Sequence, residues 1–457
     1  METWEFLPWD RMDLKKFLAD YVTCQSVSSD LTLESGMANA RKYLIGFFNS
    51  LAIETREVKF GKHAAIFAKT AQMPDKPTIL VYGHYDVQPA DDVELWTSDP
   101  FVLTERDGRW YGRGASDNKG CHSSVLMAIH DLMTTKQELP VNLKFILEGE
   151  EEIGSCSMPQ LLHSMRDELA ADFALVVDTC SLDKENIVIT TGLRGIVGCE
   201  VKLKGQDHDL HSGYGGCLLN PIGALVDLCS ALHTPEGLVN VPSFYDEVVP
   251  PHNWEREQMK RLPNLDDELK KNLGIKCFKL PNGDFSAAET IRFLPTLEFN
   301  GIRGGFQGTG IKTIIPNCAS VKISCRLVPD QNAEKIKNLL AETISNLCPK
   351  EMSLEIKFEQ ASNPYLFDVR NSKNETLSRA IKIVEEGIQS TFGNPPLYLR
   401  EGGSIGLVSM LKETLGIDSL LIGLSTAKDN IHAPDESVEI AMLEKGRKFF
   451  REFFPKF

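Results

Sequence analysis

The 457-residue chain predicts an α/β fold, a mostly parallel-sheet domain interrupted by an inserted α+β domain. Three observations carry this. Short runs that are apolar at nearly every residue, Thr78–Tyr82, Asn142–Leu147, Phe173–Val177 and Ser419–Leu424, suit strands covered on both faces, as in parallel sheets. Stretches with apolar residues at helical spacing, 37–51, 121–133 and 438–453, alternate with them, which is the order of β-α units. The middle of the chain follows another rule. Ser320–Leu327 alternates as V-K-I-S-C-R-L, the pattern of a strand with one face exposed. Ile187–Thr191, Gly198–Lys204 and Ser353–Phe358 read as further strands, Pro221–Leu232 and Ala333–Leu347 as helices, and 237–295 as loop. Asn363-Pro364 is a turn signal and a plausible return point. The expected division is 1–194, 195–362 and 363–457, the outer two segments forming one domain.

Bulk composition narrows the function. Apolar residues make up 42% and charged residues 25% of the chain, ordinary for a globular protein. Lysine and arginine number 49 against 64 acids, a formal charge of −15. That argues against nucleic acid as a partner, since such proteins present a basic patch or stripe, and weakly against an anionic membrane surface. Met1–Asp10 carries Glu2, Glu5 and Asp10 and lacks the basic and apolar segments of a signal peptide. No apolar run approaches the roughly 20 residues of a membrane span. The eleven cysteines are scattered with no C-x-x-C, which suits free thiols in a reducing compartment. A cytoplasmic protein is expected.

Acids and histidines cluster where strands end. Thr78–Tyr82 leads to Gly83-His84-Tyr85-Asp86, Asn142–Leu147 to Glu148-Gly149-Glu150-Glu151-Glu152, Phe173–Val177 to Asp178, and Ser419–Leu424 through a short loop to His432. In open α/β sheets, sites form at the carboxyl ends of strands. In H-x-D the two side chains share a side of extended backbone. His84 is then a candidate metal ligand and Asp86 the carboxylate that orients its imidazole. Alone, H-x-D is more often a solvated loop histidine beside a solvated aspartate. The glycine-rich turn Gly112–Gly120 matches neither phosphate-binding spacing. It places Asp117 either as a carboxylate bridging two cations or as a helix N-cap. Glu150, Glu151 and Glu152 repel one another unless water or a cation relieves them. A metal centre would take one as ligand and a neighbour as general base. Together, His84, Asp117, Glu152, Asp178 and His432 suit two Zn²⁺, Mn²⁺ or similar ions sharing one acid.

With these residues in view, the chain resembles the dinuclear zinc exopeptidase family of cytosolic non-specific dipeptidase, carnosine dipeptidase, aminoacylase and acetylornithine deacetylase. The resemblance runs from about Met37 to the C-terminus. It rests on G-H-Y-D-V-Q-P (83–89), G-R-G-A-S-D-N-K-G (112–120), E-E-I-G-S (151–155), D-L-H-S-G (209–213), K-T-I-I-P (312–316), R-L-V-P (326–329), R-E-G-G-S-I (400–405) and H-A-P-D-E (432–436). The first and seventh look most like the dipeptidase branch.

The resemblance implies that His84 and Asp178 hold one ion, Glu152 and His432 the other, and that Asp117 bridges them. It makes Asp86 the residue that orients His84, and Glu151 the general base and then acid. His211 would stabilise the oxyanion in a partner subunit's site, so a homodimer is implied. His211, Thr313, Arg326, Glu401, Gly403, Ser404 and His432 would contact a small peptide substrate. The inserted domain becomes a lid and dimerisation domain. Two departures stand out: the loop after His211 is one residue short, and Asn118 stands where a second Asp is usual. The expected activity is metal-dependent hydrolysis of dipeptides or small C-terminal amino-acid amides. Alternatives are an N-acyl amino-acid deacylase on the same scaffold and a non-catalytic dimeric binding protein. A serine hydrolase is not expected.

Overall fold

The computed structural model describes residues 12–135, 139–262, 264–281, 284–370 and 372–457. The acidic N-terminal segment Met1–Asp10 lies outside them. Two compact units emerge. The first takes in the described residues up to Thr191 together with Phe367–Leu399 and Met410–Phe457; the second comprises Gly192–Leu366 and Arg400–Ser409.

In the first unit, Thr78–His84 pairs in parallel with Asn142–Glu148 on one side and Phe173–Ser181 on the other, and Ser419–Thr426 extends the parallel set beyond Phe173–Ser181. Glu54–Val58, Ala65–Lys69 and the start of Val188–Leu193 add antiparallel edges. The sheet is therefore mixed with a parallel centre. Its central strands are buried along nearly their whole length, as expected where helices cover both faces. Lys119–Thr134 and Ile440–Phe453 are the helices whose apolar stripes were legible; Leu126, Ile129, Leu443 and Phe450 on them are fully buried.

The second unit has a four-stranded antiparallel sheet in the order Thr296–Gly304, Cys318–Leu327, Gly195–Lys204, Ser353–Ser362. Val197, Val201 and Leu203 on one strand and Val321 and Ile323 on its neighbour face the same core as Leu225 and Leu228 of helix Pro221–Ala231 and Leu340 and Ile344 of helix Ala333–Leu347. The intervening charged residues face away, the two-residue period of a half-covered sheet.

One expectation is corrected. The stretch 237–295 is not simply loop: it holds the helices Asn253–Lys260, Leu265–Leu273 and Ala287–Phe293. None exceeds nine residues, too short for an apolar period to stand out. Ser286 nevertheless accepts the Glu289 N–H at 3.1 Å while the Glu289 side chain accepts the Ser286 N–H at 3.0 Å, a reciprocal N-terminal cap readable as S-x-x-E.

Candidate metal centre

Parallel pairing places the carboxyl ends of Thr78–His84, Asn142–Glu148 and Phe173–Ser181 along one sheet edge. His84 is the last residue of its strand, and Asp178 lies within its own. Asn142–Glu148 runs on into a single 3-10 turn, Glu151–Ile153, closed by Gly154 at φ 92°, a left-handed conformation that glycine adopts without steric cost. That turn separates the three glutamates. Glu150 is buried and accepts from the His63 N–H at 2.9 Å and the Ser157 hydroxyl at 2.6 Å, leaving Glu151 and Glu152 to the site.

Five chain segments converge there. Ligand atoms of His84, Asp117 and Glu152 all lie within 4.8 Å of one another. Asp117 stands between two imidazoles: its Oδ1 is 3.1 Å from His84 Nε2 and its Oδ2 3.1 Å from His432 Nε2. His432 Nε2 is also 3.2 Å from Glu152 Oε2, and His84 Nε2 is 3.7 Å from Asp178 Oδ2. The structure thus brings together all five side chains that the sequence singled out as ligands. His432 reaches the group from a loop with φ 61° at its own backbone, a region non-glycine residues seldom occupy.

The electrostatics show what the cluster lacks. Burial raises the Asp178 carboxyl to about 6, with Asp117 and Glu152 adding to the shift against the opposing effect of His84. Burial likewise lifts Glu151 well above the usual carboxylate range. Burial alone would depress His84, yet the surrounding carboxylates, Asp178 foremost, hold its imidazole well above its ordinary value. Contacts with Asp117 and Glu152 push His432 up to about 10. Carboxylates crowded at this spacing need positive charge between them. Imidazole nitrogens and carboxylate oxygens are the donor set of a first-row divalent ion, so the residues present fit such ions.

A surrounding layer fixes the ligands. Asp86 is fully buried; its carboxylate accepts the backbone N–H of Glu151 at 3.3 Å and of Glu152 at 3.1 Å, and lies 3.5 Å from His84 Nδ1. Gln88 donates to Glu152 Oε2 at 2.9 Å. Asn118 donates to Asp178 Oδ1 at 2.6 Å, so the residue that departs from the family pattern orients a ligand. Two acids were missed by sequence reasoning. Glu436 is buried and accepts from Arg113 at 2.8 Å and from the N–H groups of Gly114, Ser116 and Asp117 at 2.9, 3.0 and 3.0 Å. Asp429 accepts the Ser116 hydroxyl at 2.7 Å and Arg109 at 2.6 Å. Both flank His432 in a stretch whose acids look solvated by composition.

The remaining candidates lie in the second unit. His211 is exposed and its Nδ1 accepts the Gly213 N–H at 3.0 Å. The Ser212 N–H donates to the Thr313 carbonyl at 3.0 Å, so His211 and Thr313 sit on adjacent segments. Arg326 donates to Ser404 Oγ at 2.8 Å. Arg400–Ser409, expected with the outer segments, groups with this unit. The bidentate pair of Arg400 with Glu255, at 2.6 and 2.8 Å, and the Arg194 N–H to the Gly403 carbonyl at 2.9 Å anchor it; Glu401, Gly403 and Ser404 belong to it. Gly402–Gly406 also has the G-x-S-x-G spacing of a serine nucleophile. Among the described residues, though, no histidine hydrogen-bonds Ser404, whose hydroxyl faces Arg326.

A partly buried imidazole–carboxylate cluster at the carboxyl edge of a parallel sheet defines a metal-dependent hydrolase, and comparison with known proteins supplies the family. Residues 80–456 match the model of peptidase family M20/M25/M40. The chain is 33% identical over 396 residues, 85% of its length and 76% of the relative's, to the Beta-Ala-His dipeptidase of Homo sapiens. It is 29% identical over 451 residues, 95% and 93% of the two chains, to the Cys-Gly metallodipeptidase dug1 of Schizosaccharomyces pombe. An M20 family metallo-carboxypeptidase from Sulfolobus solfataricus superimposes with a TM-score of 0.87 at 30% identity, covering 98% of this chain and 100% of that one. The chain belongs to peptidase family M20/M25/M40 and is a metal-dependent hydrolase of amide bonds.

Proposed function

We propose that this protein cleaves dipeptides, or small amides of a C-terminal amino acid, with two divalent ions, zinc or manganese. His84 and Asp178 would hold one ion, Glu152 and His432 the other, and Asp117 both. The observation that carries the reading is the position of Asp117, with one carboxylate oxygen 3.1 Å from each imidazole. The dipeptidase names of the relatives above support the substrate class.

Bound ions supply the positive charge that acidifies water and polarises a carbonyl. The chain's own groups do the rest. Glu151 takes the proton from the attacking water and returns it to the leaving amine. Its burial and crowded carboxylate neighbours raise its proton affinity, which suits a group that must accept a proton and then give it up. Asp86 holds the Glu151 and Glu152 amides and keeps His84 in place. His211 is assigned to the oxyanion in the site of a partner subunit, which requires a homodimer. Arg326 and Thr313 are assigned to the substrate carboxylate, with Glu401, Gly403, Ser404 and His432 as further substrate contacts. A guanidinium suits bidentate recognition of that carboxylate. Every cysteine is a free thiol, which supports a reducing, cytoplasmic setting. No helix among the described residues is long and apolar enough to cross a membrane.

Glu151→Gln tests the reading. The variant is expected to bind metal like the wild type and to lose turnover by about 10²–10⁴-fold, the contribution of a positioned acid–base group. Wild-type rates would remove Glu151 from the role. A substrate panel tests the class: activity confined to N-acyl amino acids would make the protein a deacylase.

A further inference from the structure

The second unit contains three partly buried arginines that lack a counter-ion within salt-bridge distance among the described residues. Arg194, Arg292 and Arg326 are each partly buried, and among the described residues none forms a salt bridge. Arg194 donates from Nε to the Gly402 carbonyl at 2.6 Å, Arg292 to the Ala288 carbonyl at 2.9 Å, and Arg326 to Ser404 Oγ at 2.8 Å. All three acceptors are neutral. The Arg292 Nε is buried with no hydrogen-bond partner among the described residues. Nearby arginines are treated differently: Arg400 has both oxygens of Glu255, and Arg256 lies 3.4 Å from Glu289.

These three sit together. Arg326 stands opposite Ile196 on the neighbouring strand and opposite Thr296 on the other side. Arg194 precedes Ile196 by two residues, so it takes the diagonal place on the same face, about 7–8 Å away in such a sheet. Burial, reinforced by the charges of Arg326 and Arg292, lowers the Arg194 guanidinium to about 10. Glu298 acts electrostatically on Arg194, and Glu401 and Asp266 on Arg292. Like charges desolvated side by side are costly, and a guanidinium remains charged in any protein. Such a cluster is relieved by an anion that brings its own charge.

We propose that Arg194, with Arg292 nearby, forms a second carboxylate subsite beside Arg326, so that the preferred substrates are dipeptides ending in aspartate or glutamate. This rests on the dipeptidase reading, in which Arg326 takes the C-terminal carboxylate. The side-chain carboxylate of the same residue then meets Arg194 in the paired geometry that guanidinium and carboxylate favour.

The test separates charge from size and binding from turnover. Ala-Glu and Ala-Gln are nearly isosteric and differ by one charge. Their affinities are measured by calorimetry on the metal-loaded Glu151→Gln protein, with and without Arg194→Gln or Arg194→Lys. Ala-Glu is expected to bind about tenfold tighter than Ala-Gln, a difference of about 1.4 kcal/mol. Arg194→Gln should erase the preference while leaving Ala-Gln within about threefold, and Arg194→Lys should retain part of it. Equal affinities, no binding, or an equal loss for both peptides overturns the inference; the last would mean that Arg194 only holds the Gly402 turn. The dipeptidase reading fails separately, if the wild-type protein does not hydrolyse Ala-Gln.

Discussion

Glu436 accepts the backbone N–H of Asp117 at 3.0 Å through a carboxylate that solvent does not reach. The same carboxylate neutralises Arg113 and takes the N–H groups of Gly114 and Ser116. Glu436 lies four residues after His432, so the segment that delivers one imidazole also fixes the backbone of the acid between both imidazoles. Two distant stretches of sequence are thereby locked into one geometry before any ion arrives.

Replacing Glu436 with Gln turns an acceptor into a partial donor facing three N–H groups and leaves Arg113 buried without its partner. Removing one member of a buried ion pair costs about 3–5 kcal/mol. A loss of that order is expected in urea denaturation of the metal-free protein, with weaker metal binding alongside. A loss below about 1 kcal/mol, the level of an exposed pair, would show that the contact is idle.

Asp86 serves the same end from the opposite side. Asp86→Ala removes the acceptor of the Glu151 and Glu152 amides and the carboxylate beside His84. Supporting contacts of this kind are worth about 10–100-fold in metal affinity or activity. Chelator competition and steady-state rates measured together should both register the loss; unchanged values in both would dismiss the role.

Glu148 links stability to pH. It is buried, accepts from the Tyr82 hydroxyl at 2.8 Å and the Ser155 hydroxyl at 3.0 Å, and burial raises it from 4.5 to about 8. Between those values the folded chain holds a proton that the unfolded chain has released. Stability from this group is therefore complete below about pH 4.5 and lost as pH rises through about 8. Glu148→Gln is expected to flatten that part of the pH–stability curve, read as the denaturation midpoint at several pH values. A slope identical to wild type would contradict the assignment.

The central strands and the five clustered side chains were legible because burial on both faces and position at strand ends leave marks in sequence. Ile79–Tyr82 is apolar throughout and Leu143–Leu147 is broken only by Lys144; His84 and the glutamates come directly after. Glu436, Asp429 and Gln88 left no such mark. Their importance comes from three-dimensional desolvation, and a buried acid beside Pro434 and Asp435 has the composition of a solvated turn. Asn118 was noticed only as a departure, since nothing local says that its amide reaches Asp178. The helices between 253 and 293 were hidden by their shortness: Leu265–Leu273 has leucines at 265, 269 and 273, but nine residues are too few for a helical period to stand out from a loop.

The placement of Arg400–Ser409 shows a similar limit. Chain order assigns it to the outer segments, while the Arg400–Glu255 pair draws it to the other unit. Neither residue signals the other in sequence, because an ion pair across such a separation has no period.

The metal content of the purified protein probes the shared site most directly. After reconstitution with zinc or manganese and removal of excess ion, elemental analysis should find two ions per chain in the wild type and fewer than one after Asp117→Ala, since that carboxylate lies between both imidazoles. A single ion per wild-type chain, or an undiminished count in the Asp117→Ala protein, would contradict a pair of ions sharing Asp117.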